Sequence, residues 1–211
     1  MVELKIGPRT VDLPFTVRLP GVTEEMFDEL VDEDTRAELM DGVMIVHSPA
    51  SLRRDYLGGF LRGLMADYAE ESDQGVVLGP DSLVHLASCR RLAPAVFFLR
   101  QKRVRMPLPD QFEGAPDLVV EVLSPSNRAE DLQDKRPAYR EAGVPEIWFV
   151  DPDEHQVLID RRRKKTYSAR AVSRGRVASA VLKGFWIEAS WLWSEPLPRR
   201  KDCLRAILGG K

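Results

Sequence analysis

Glu121 is the residue whose position most needs a chemical explanation. It interrupts a nearly continuous apolar run, DLVVEVL at positions 117–123, which has the pattern of a central strand covered on both faces. A carboxylate in such a strand must be paired, protonated or bound to a cation, because burial of an isolated charge is very unfavourable. An inert ion pair of Glu121 with Lys135 or an arginine is one hypothesis, and a functional site is the other.

Other residue types that carry chemistry are scattered. His47, His85 and His155 occur singly, so we expect structural or surface histidines. Cys89 and Cys203 lie far apart, without a Cys-x-x-Cys or Cys/His pattern around them. This argues against a zinc site and gives no sign of an oxidising compartment, so we expect a cytoplasmic protein with ordinary thiols.

The composition predicts a folded globular protein. The chain has 211 residues, of which 44% are hydrophobic and 30% charged. Its length suits one domain whose core needs no disulfide or structural metal. No run approaches the ~18 apolar residues of a membrane helix, so we expect no membrane partner. The formal net charge of −2 excludes a uniformly basic coat for nucleic acid but not a local basic patch.

Three elements are predicted in the first third of the chain. Thr23 is a suitable N-cap for a short helix in EEMFDEL. The Asp-Gly pair at 41–42, between two strand-like runs, predicts a tight hairpin. Ser48 and Pro49 are predicted to cap and open a long helix, whose apolar residues recur at helical spacing through 57–68.

The rest of the chain is rich in predicted strands. GVVLGP, SLVHLA and APAVFFL precede a basic loop at 100–115. DLVVEVL, a helix ending at Gly143, and EIWFVDP form a strand-helix-strand unit, which is typical of a partly parallel sheet. Further strands are predicted in QVLIDRR, KTYSARAV, RVASAVL and FWIEASWLW. We therefore predict an α/β fold, a mixed sheet flanked by helices with a C-terminal β extension.

Several of these segments together resemble a known family, the Uma-type restriction endonucleases, a branch of the PD-(D/E)XK nuclease superfamily. The resemblance runs from about Thr23 to about Trp193. It is carried by RAELMDG at 36–42, SPAS at 48–51, PDLVVEVLSPSN at 116–127, Lys135 three residues before Ala138-Tyr139, and GVPEIWFVDP at 143–152.

The resemblance implies a restriction endonuclease-like core, in which carboxylates at strand ends bind a divalent metal. It also implies hydrolysis of DNA phosphodiester bonds, with Mg²⁺ or Mn²⁺ as the cofactor. A Mg²⁺ ion held by one or two carboxylates keeps its waters, lowers the pKa of one of them and neutralises charge that develops on the phosphate.

Three residues of this chain match the family's site. By the resemblance, Glu121 is the strand glutamate that binds the metal, and Glu38 is an earlier glutamate that binds it as well. Leu123 stands where the superfamily has its lysine. The resemblance transfers that role, assistance to the attacking water, to Lys135 on the following helix.

Four positions depart from the family's pattern and imply a degenerate metal site. Ala95 replaces the principal metal-binding aspartate. Val43 replaces the second glutamate of the hairpin motif, and Arg54 replaces a histidine at the start of the long helix. Pro137 is predicted to kink or split the helix that carries Lys135, because it removes a backbone hydrogen bond.

Two aspartates are candidates to replace the missing carboxylate. Asp117 shares a strand face with Glu121 but is about 13 Å away along the strand, so the two cannot readily share one ion. Asp81, on a neighbouring predicted strand, would reach the site only if the strand registers align.

Two surface features bear on partners. The basic runs at 161–165 and 199–201 are solvated strand ends or tails by default, and they could also contact DNA phosphates. A cluster of aromatic residues near the C-terminus predicts an edge of the core or the face of a homodimer: Phe185, Trp186, Trp191 and Trp193.

The predicted organisation is an N-terminal extension at 1–22, a restriction endonuclease-like domain at 23–195 and a basic tail at 196–211. Three functional hypotheses are compatible with the sequence. The first is a metal-dependent DNA endonuclease. The second is a nuclease fold that no longer cuts and acts as a DNA-binding or protein-interaction module. The third is a homodimeric structural protein without a nucleic-acid partner.

Overall fold

The computed structural model describes residues 5–6, 9–10, 15–32, 35–48 and 51–209. The helices are α1 Glu24–Leu30, α2 Leu52–Glu71, α3 Arg128–Glu130, α4 Arg136–Ala142 and α5 Arg200–Ile207. A π-helical turn, Asp131–Lys135, joins α3 to α4, and 3₁₀ turns occur at Gln101–Arg103 and Ala189–Leu192. The strands are β1 Lys5–Ile6, β2 Arg9–Thr10, β3 Thr16–Pro20, β4 Ala37–Met40, β5 Val43–His47, β6 Gly75–Leu78, β7 Leu83–Ala87, β8 Arg90–Leu92, β9 Val96–Arg100, β10 Gln111–Glu113, β11 Leu118–Val122, β12 Glu146–Asp151, β13 Gln156–Arg163, β14 Thr166–Val172, β15 Arg176–Ala178 and β16 Trp186–Glu188.

Twelve of these strands form two six-stranded mixed sheets, and β1-β2 and β15-β16 form two small sheets of two strands each. The first six-stranded sheet has the order β10-β7-β8-β4-β5-β3, and the second has the order β14-β13-β12-β11-β9-β6. Neighbouring strands are antiparallel except for β10 with β7 and β11 with β12. The parallel pair β11 and β12 is the predicted strand-helix-strand unit, so the predicted mixed α/β fold is confirmed.

The central strand β11 of the second sheet is covered on both faces, as its apolar sequence predicts. Leu118 and Val120 of β11 pack with α2, α5 and β16 on one face. Val119, on the other face, packs against apolar residues of the first sheet and of α4. Because side chains alternate along a strand, Glu121 points to the same face as Val119, between the two sheets.

The Asp-Gly hairpin is confirmed. Met40 pairs with Val43, and Asp41 and Gly42 have φ of +49° and +81°. Positive φ at both central residues is the geometry of the tight turn that Asp-Gly favours. This turn sets the register of β4 against β5 and therefore the position of Glu38.

The sequence predicts the N-cap of α1 correctly but not that of α2. Thr23 caps α1 as predicted, since its side chain accepts a hydrogen bond from the Met26 amide. The prediction of Ser48 as the cap of α2 is wrong, because Ser51 accepts the Arg54 amide there. Pro49 lies outside the described residues. The predicted buried face of α2 is confirmed from Leu57 to Tyr68.

The predicted split at Pro137 is also confirmed. Pro137 lies in the first turn of α4, directly after the π-helical turn at Asp131–Lys135. Gly143 ends α4 with a φ of +84°, as expected for a helix that stops at glycine. The wider π turn brings Asp131 and Lys135 inward, and both are buried.

The C-terminal segment contains a helix that packs on the core. Cys203 and Ile207 of α5 are buried in the same cluster as the apolar face of α2. Phe185 is fully buried and stacks near Tyr68 and Trp148. Among the described residues, no helix is long and apolar enough to cross a membrane. The predicted domain boundaries stay predictions.

Candidate active site

The candidate site lies where the chain passes from one large sheet to the other. Residues 93–95 connect β8 of the first sheet to β9 of the second. The Ala93 amide donates a hydrogen bond to Glu38 Oε1 over 2.7 Å, and the Ala95 amide donates to Glu121 Oε2 over 3.4 Å. This connection therefore holds the two predicted glutamates, one on each sheet, on either side of a shared interior space.

Lys135 enters this space from the π-helical turn. Its ammonium nitrogen is 2.9 Å from Glu38 Oε1, 2.7 Å from Glu38 Oε2 and 3.9 Å from Glu121 Oε1. The lysine side chain is only 3% exposed. The structure thus brings together Glu38, Glu121 and Lys135, the three residues that the family resemblance assigned to the site. Their catalytic roles stay a prediction.

Glu38 is the best-satisfied carboxylate of the group. Both of its oxygens contact Lys135, and Oε2 is also 2.8 Å from Nε2 of His47. Burial alone would raise the pKa of Glu38, but Lys135 and His47 outweigh it and hold this pKa well below its usual range. Burial alone would lower the pKa of Lys135, but the surrounding carboxylates keep it above its ordinary value. Both groups are therefore charged at neutral pH.

Asp131 is a further buried carboxylate that the sequence analysis did not identify. It has no exposed surface, and its Oδ1 lies 3.4 Å from Lys135 Nζ. Neither oxygen accepts a hydrogen bond from the residues that the structure describes. Burial has the largest effect on the pKa of Asp131 and, together with the charge of Glu121, raises it to about 8. The ammonium of Lys135 acts in the opposite direction and offsets part of this rise.

The charges inside this centre do not balance. Glu38, Glu121 and Asp131 surround one lysine, and all four side chains are buried. A proton or an additional cation can offset such an excess of carboxylates. The raised pKa of Asp131 reflects the first possibility. A divalent cation among the carboxylates is the second.

Tyr139 completes the helical side of the centre. Its hydroxyl donates a 2.7 Å hydrogen bond to Glu121 Oε1, and its side chain is fully buried. Burial, and then the charge of Glu121, raises the pKa of Tyr139 well above its usual value, so the phenol stays protonated. Tyr139 is therefore the hydrogen-bond donor that orients the carboxylate of Glu121.

His47 and Glu130 form the opposite side of Glu38. The His47 Nε2 atom is 2.8 Å from Glu38 Oε2 and 3.8 Å from Glu130 Oε1. Glu130 is 8% exposed, and its Oε2 accepts a hydrogen bond from Arg18 over 3.1 Å. One ligand atom from each of Glu38, His47 and Glu130 lies within 4.8 Å of the other two.

Two signals in the sequence would have identified the missed residues. The Asp-Gly turn places Glu38 opposite Ile45, so His47, two residues further along, is a diagonal neighbour on the same face. Asp131, Lys135 and Tyr139 follow one another at four-residue steps, which place side chains on one helical face. The expectation that His47 has only a structural or surface position missed its contact with Glu38.

A small opening lies beside Ala95, whose amide contacts Glu121. A cavity of about 40 Å³ is lined by Ala95 and by three arginines, Arg36, Arg54 and Arg62. Arg54 also acts electrostatically on Asp131 and opposes the rise of its pKa. Asp55 also lines this cavity, so with three arginines and one aspartate its surroundings are basic overall.

Asp117 and Asp81, the two alternative aspartates, make no contact with Lys135, Glu38 or Glu121 among the contacts that the structure describes. Asp117 accepts hydrogen bonds from the Arg100 amide over 3.0 Å and from Arg103 over 3.3 Å, so its carboxylate stabilises the start of β11. Asp81 is exposed and lines a separate surface cavity with Arg62 and Arg200. Asp131 is the additional carboxylate that contacts the ammonium at the centre.

Comparison with known proteins agrees with this architecture. A crystal structure of "a putative nuclease belonging to DUF820" from Anabaena variabilis ATCC 29413 matches with a TM-score of 0.71 and 14% sequence identity. The match covers 82% of this chain and 97% of that one, and at this identity it shows a shared fold. Comparison with functionally curated proteins finds no match. Residues 24–190 match the family Uma2, described as "Putative restriction endonuclease". The chain therefore belongs to the Uma2 family of nuclease-like proteins, as its sequence motifs predict.

Proposed function

We propose that this protein is a metal-dependent DNA endonuclease with a modified metal site. The observation that carries the proposal is the convergence of Glu38, Glu121 and Asp131 on Lys135 at the crossover between the sheets. Buried carboxylates in excess of cations are the ordinary surroundings of a divalent metal in proteins. The family membership supports DNA as the substrate.

The donors around Lys135 are carboxylate oxygens, the ligand type that a hard divalent cation such as Mg²⁺ or Mn²⁺ prefers. Glu121 and Glu38 supply carboxylate oxygens, as the family resemblance implies. Ala95 supplies none, and Asp131 is the carboxylate that takes over, because both of its oxygens are free of hydrogen bonds from the described residues. A metal ion held by these carboxylates would lower the pKa of a bound water and would neutralise charge on the phosphate.

The protein groups around the metal have separate tasks in this proposal. The Lys135 ammonium donates a hydrogen bond to Glu38 and is available to orient the attacking water. Tyr139 fixes the carboxylate of Glu121 through its 2.7 Å hydrogen bond. The arginines of the opening beside Ala95 would receive the scissile phosphate, since guanidinium groups bind phosphate through paired hydrogen bonds.

Cleavage of supercoiled plasmid in Mg²⁺ and in Mn²⁺ tests this proposal. We expect the wild type to nick DNA and Glu121→Gln to lose at least a hundredfold in rate. Glu146→Gln is the matched control, because Glu146 is also a fully buried glutamate of the second sheet, but it binds Trp148, Ser179 and Arg161. Equal cleavage by the wild type and a folded Glu121→Gln would identify a contaminating nuclease and overturn the proposal.

A second candidate function is a nuclease fold that binds DNA or a protein without cutting. One observation favours it: the Lys135 ammonium already contacts Glu38 at 2.7 Å and Glu121 at 3.9 Å, where a metal shared by the two would lie. In this case DNA binding, measured by fluorescence anisotropy, persists in Glu121→Gln, and no cleavage occurs with either metal. A homodimer, which the sequence predicts, would then be measured by sedimentation.

A further inference from the structure

A second set of metal ligands lies on the β5 side of Glu38 and includes no residue of β11. Glu38 Oε2 is 2.8 Å from His47 Nε2, which is 3.8 Å from Glu130 Oε1. All three ligand atoms lie within 4.8 Å of one another. Ligand atoms around a tetrahedral zinc ion are about 3.4 Å apart. One ion could therefore contact all three with small side-chain movements.

Glu130 provides an independent reason to expect a ligand there. It is more than nine-tenths buried, and its Oε2 is engaged by Arg18. Its Oε1 atom is buried and accepts no hydrogen bond from the part of the chain that the structure describes. Buried carboxylate oxygens normally have a hydrogen-bond partner or a cation. Glu130 Oε1 instead points towards His47, at a distance that a metal ion would bridge.

Solvent can reach this set of ligands more easily than it reaches Glu121. The His47 side chain is 14% exposed, whereas the side chain of Glu121 is fully buried. An ion can thus enter past the imidazole without opening the contact between the two sheets.

We propose that Glu38, His47 and Glu130 bind a first-row transition-metal ion of the Zn²⁺ type. The imidazole binds through Nε2 and keeps its proton on Nδ1. A nitrogen ligand sets the preference, because imidazole suits zinc-like ions whereas Mg²⁺ takes oxygen ligands. The site does not depend on the proposed DNA cleavage, with which it shares only Glu38.

Isothermal titration of the full chain with Zn²⁺, and separately with Mg²⁺, tests the site. We expect one Zn²⁺ per chain, bound with a Kd at least tenfold lower than that of Mg²⁺. His47→Gln and Glu130→Gln should each raise the Zn²⁺ Kd at least tenfold. Glu130→Gln carries the test if His47→Gln does not fold, and circular dichroism establishes folding for every variant.

Two controls separate this site from its alternatives. His85→Gln removes another histidine between two glutamates, but Glu24 and Glu113 contact opposite ring nitrogens at 3.0 and 2.9 Å, so they cannot share one ion. We expect His85→Gln to keep the wild-type Zn²⁺ Kd within threefold, and Glu121→Gln reports whether the ion binds at the centre around Lys135 instead. The proposal is overturned if the wild type binds no Zn²⁺, or if the folded His47 and Glu130 variants bind it as the wild type does. It is also overturned if Glu121→Gln alone abolishes binding. DNA cleavage does not enter these outcomes, so failure here is distinct from failure of the proposed nuclease.

Discussion

Replacement of Lys135 by methionine would remove an ammonium group that contacts three buried carboxylates. The ammonium is 2.7 Å from Glu38, 3.4 Å from Asp131 and 3.9 Å from Glu121. At an effective dielectric constant of about 20, the pairs with Glu38 and with Glu121 each contribute about 4–6 kcal/mol. Asp131, with a pKa raised to about 8, is mostly protonated at pH 7 and adds little. Desolvation of the ammonium offsets most of this sum, and loss of one partner from a buried ion pair typically costs about 3–5 kcal/mol.

We therefore expect Lys135→Met to lower the free energy of unfolding by about 3–5 kcal/mol at pH 7. For a chain of this size, the melting temperature should fall by about 6–20 °C. Denaturant unfolding followed by circular dichroism measures the loss. Lys183→Met is the matched control, since Lys183 is exposed and its substitution should change stability by less than about 0.5 kcal/mol.

The pH dependence of stability shows whether Lys135→Met acts through the lost charge of the ammonium or through the lost packing of the side chain. In the wild type the pKa of Glu38 is depressed, so its contribution to stability is present above about pH 4.3 and is lost as the pH falls towards the folded pKa. Without Lys135, burial raises the Glu38 pKa instead, and the carboxyl takes up a proton on mild acidification. The loss of unfolding free energy caused by Lys135→Met should therefore be smaller at pH 4 than at pH 7. A deficit below about 1 kcal/mol at pH 7, or one of equal size at both pH values, would refute this reasoning.

Three further predictions concern other residues, two of them outside the site. Asp160→Asn should lower the free energy of unfolding by about 2–3 kcal/mol at pH 7, because two partly exposed arginines pair with this buried carboxylate. They hold its pKa below the usual value against the effect of burial, so urea melts should show the wild-type advantage fading below about pH 4. Gly75→Ala should cost more than about 2 kcal/mol in the same assay, since Gly75 has a φ of +148° and a Cβ would lie 1.9 Å from the Leu99 carbonyl oxygen. Ala95→Asp should strengthen Mg²⁺ or Mn²⁺ binding in calorimetry, because residue 95 adjoins Glu121; an unchanged affinity would contradict the assignment of Glu121 as a metal ligand.

Local sequence signals predicted the framework of the site correctly. The apolar run around Glu121 predicts a buried strand, and its carboxylate is fully buried as expected. The Asp-Gly pair predicts the hairpin that positions Glu38, and Pro137 predicts the interruption that places Lys135 in a π turn. Each signal depends on backbone geometry within a few residues, which the sequence specifies strongly.

The partners of these residues depend on contacts between distant segments, which the sequence specifies weakly. The amides of Ala93 and Ala95 contact the two glutamates only because residues 93–95 cross between the sheets. The sequence around Asp131 is typical of a helix-surface position, whereas the π turn directs its side chain inward. The prediction of Ser48 as the cap of α2 is wrong because two serines, Ser48 and Ser51, precede the same helix and both are suitable N-cap residues.

The most direct test of the account is the conversion of supercoiled plasmid by the purified wild type in Mn²⁺, in Mg²⁺ and in excess chelator. If the carboxylates around Lys135 hold a catalytic metal, nicking appears with a divalent ion, rises with its concentration and stops when the chelator is added. If no divalent ion supports cleavage, or if cleavage continues unchanged in chelator, the centre is a buried ion-pair network rather than a metal-dependent nuclease site.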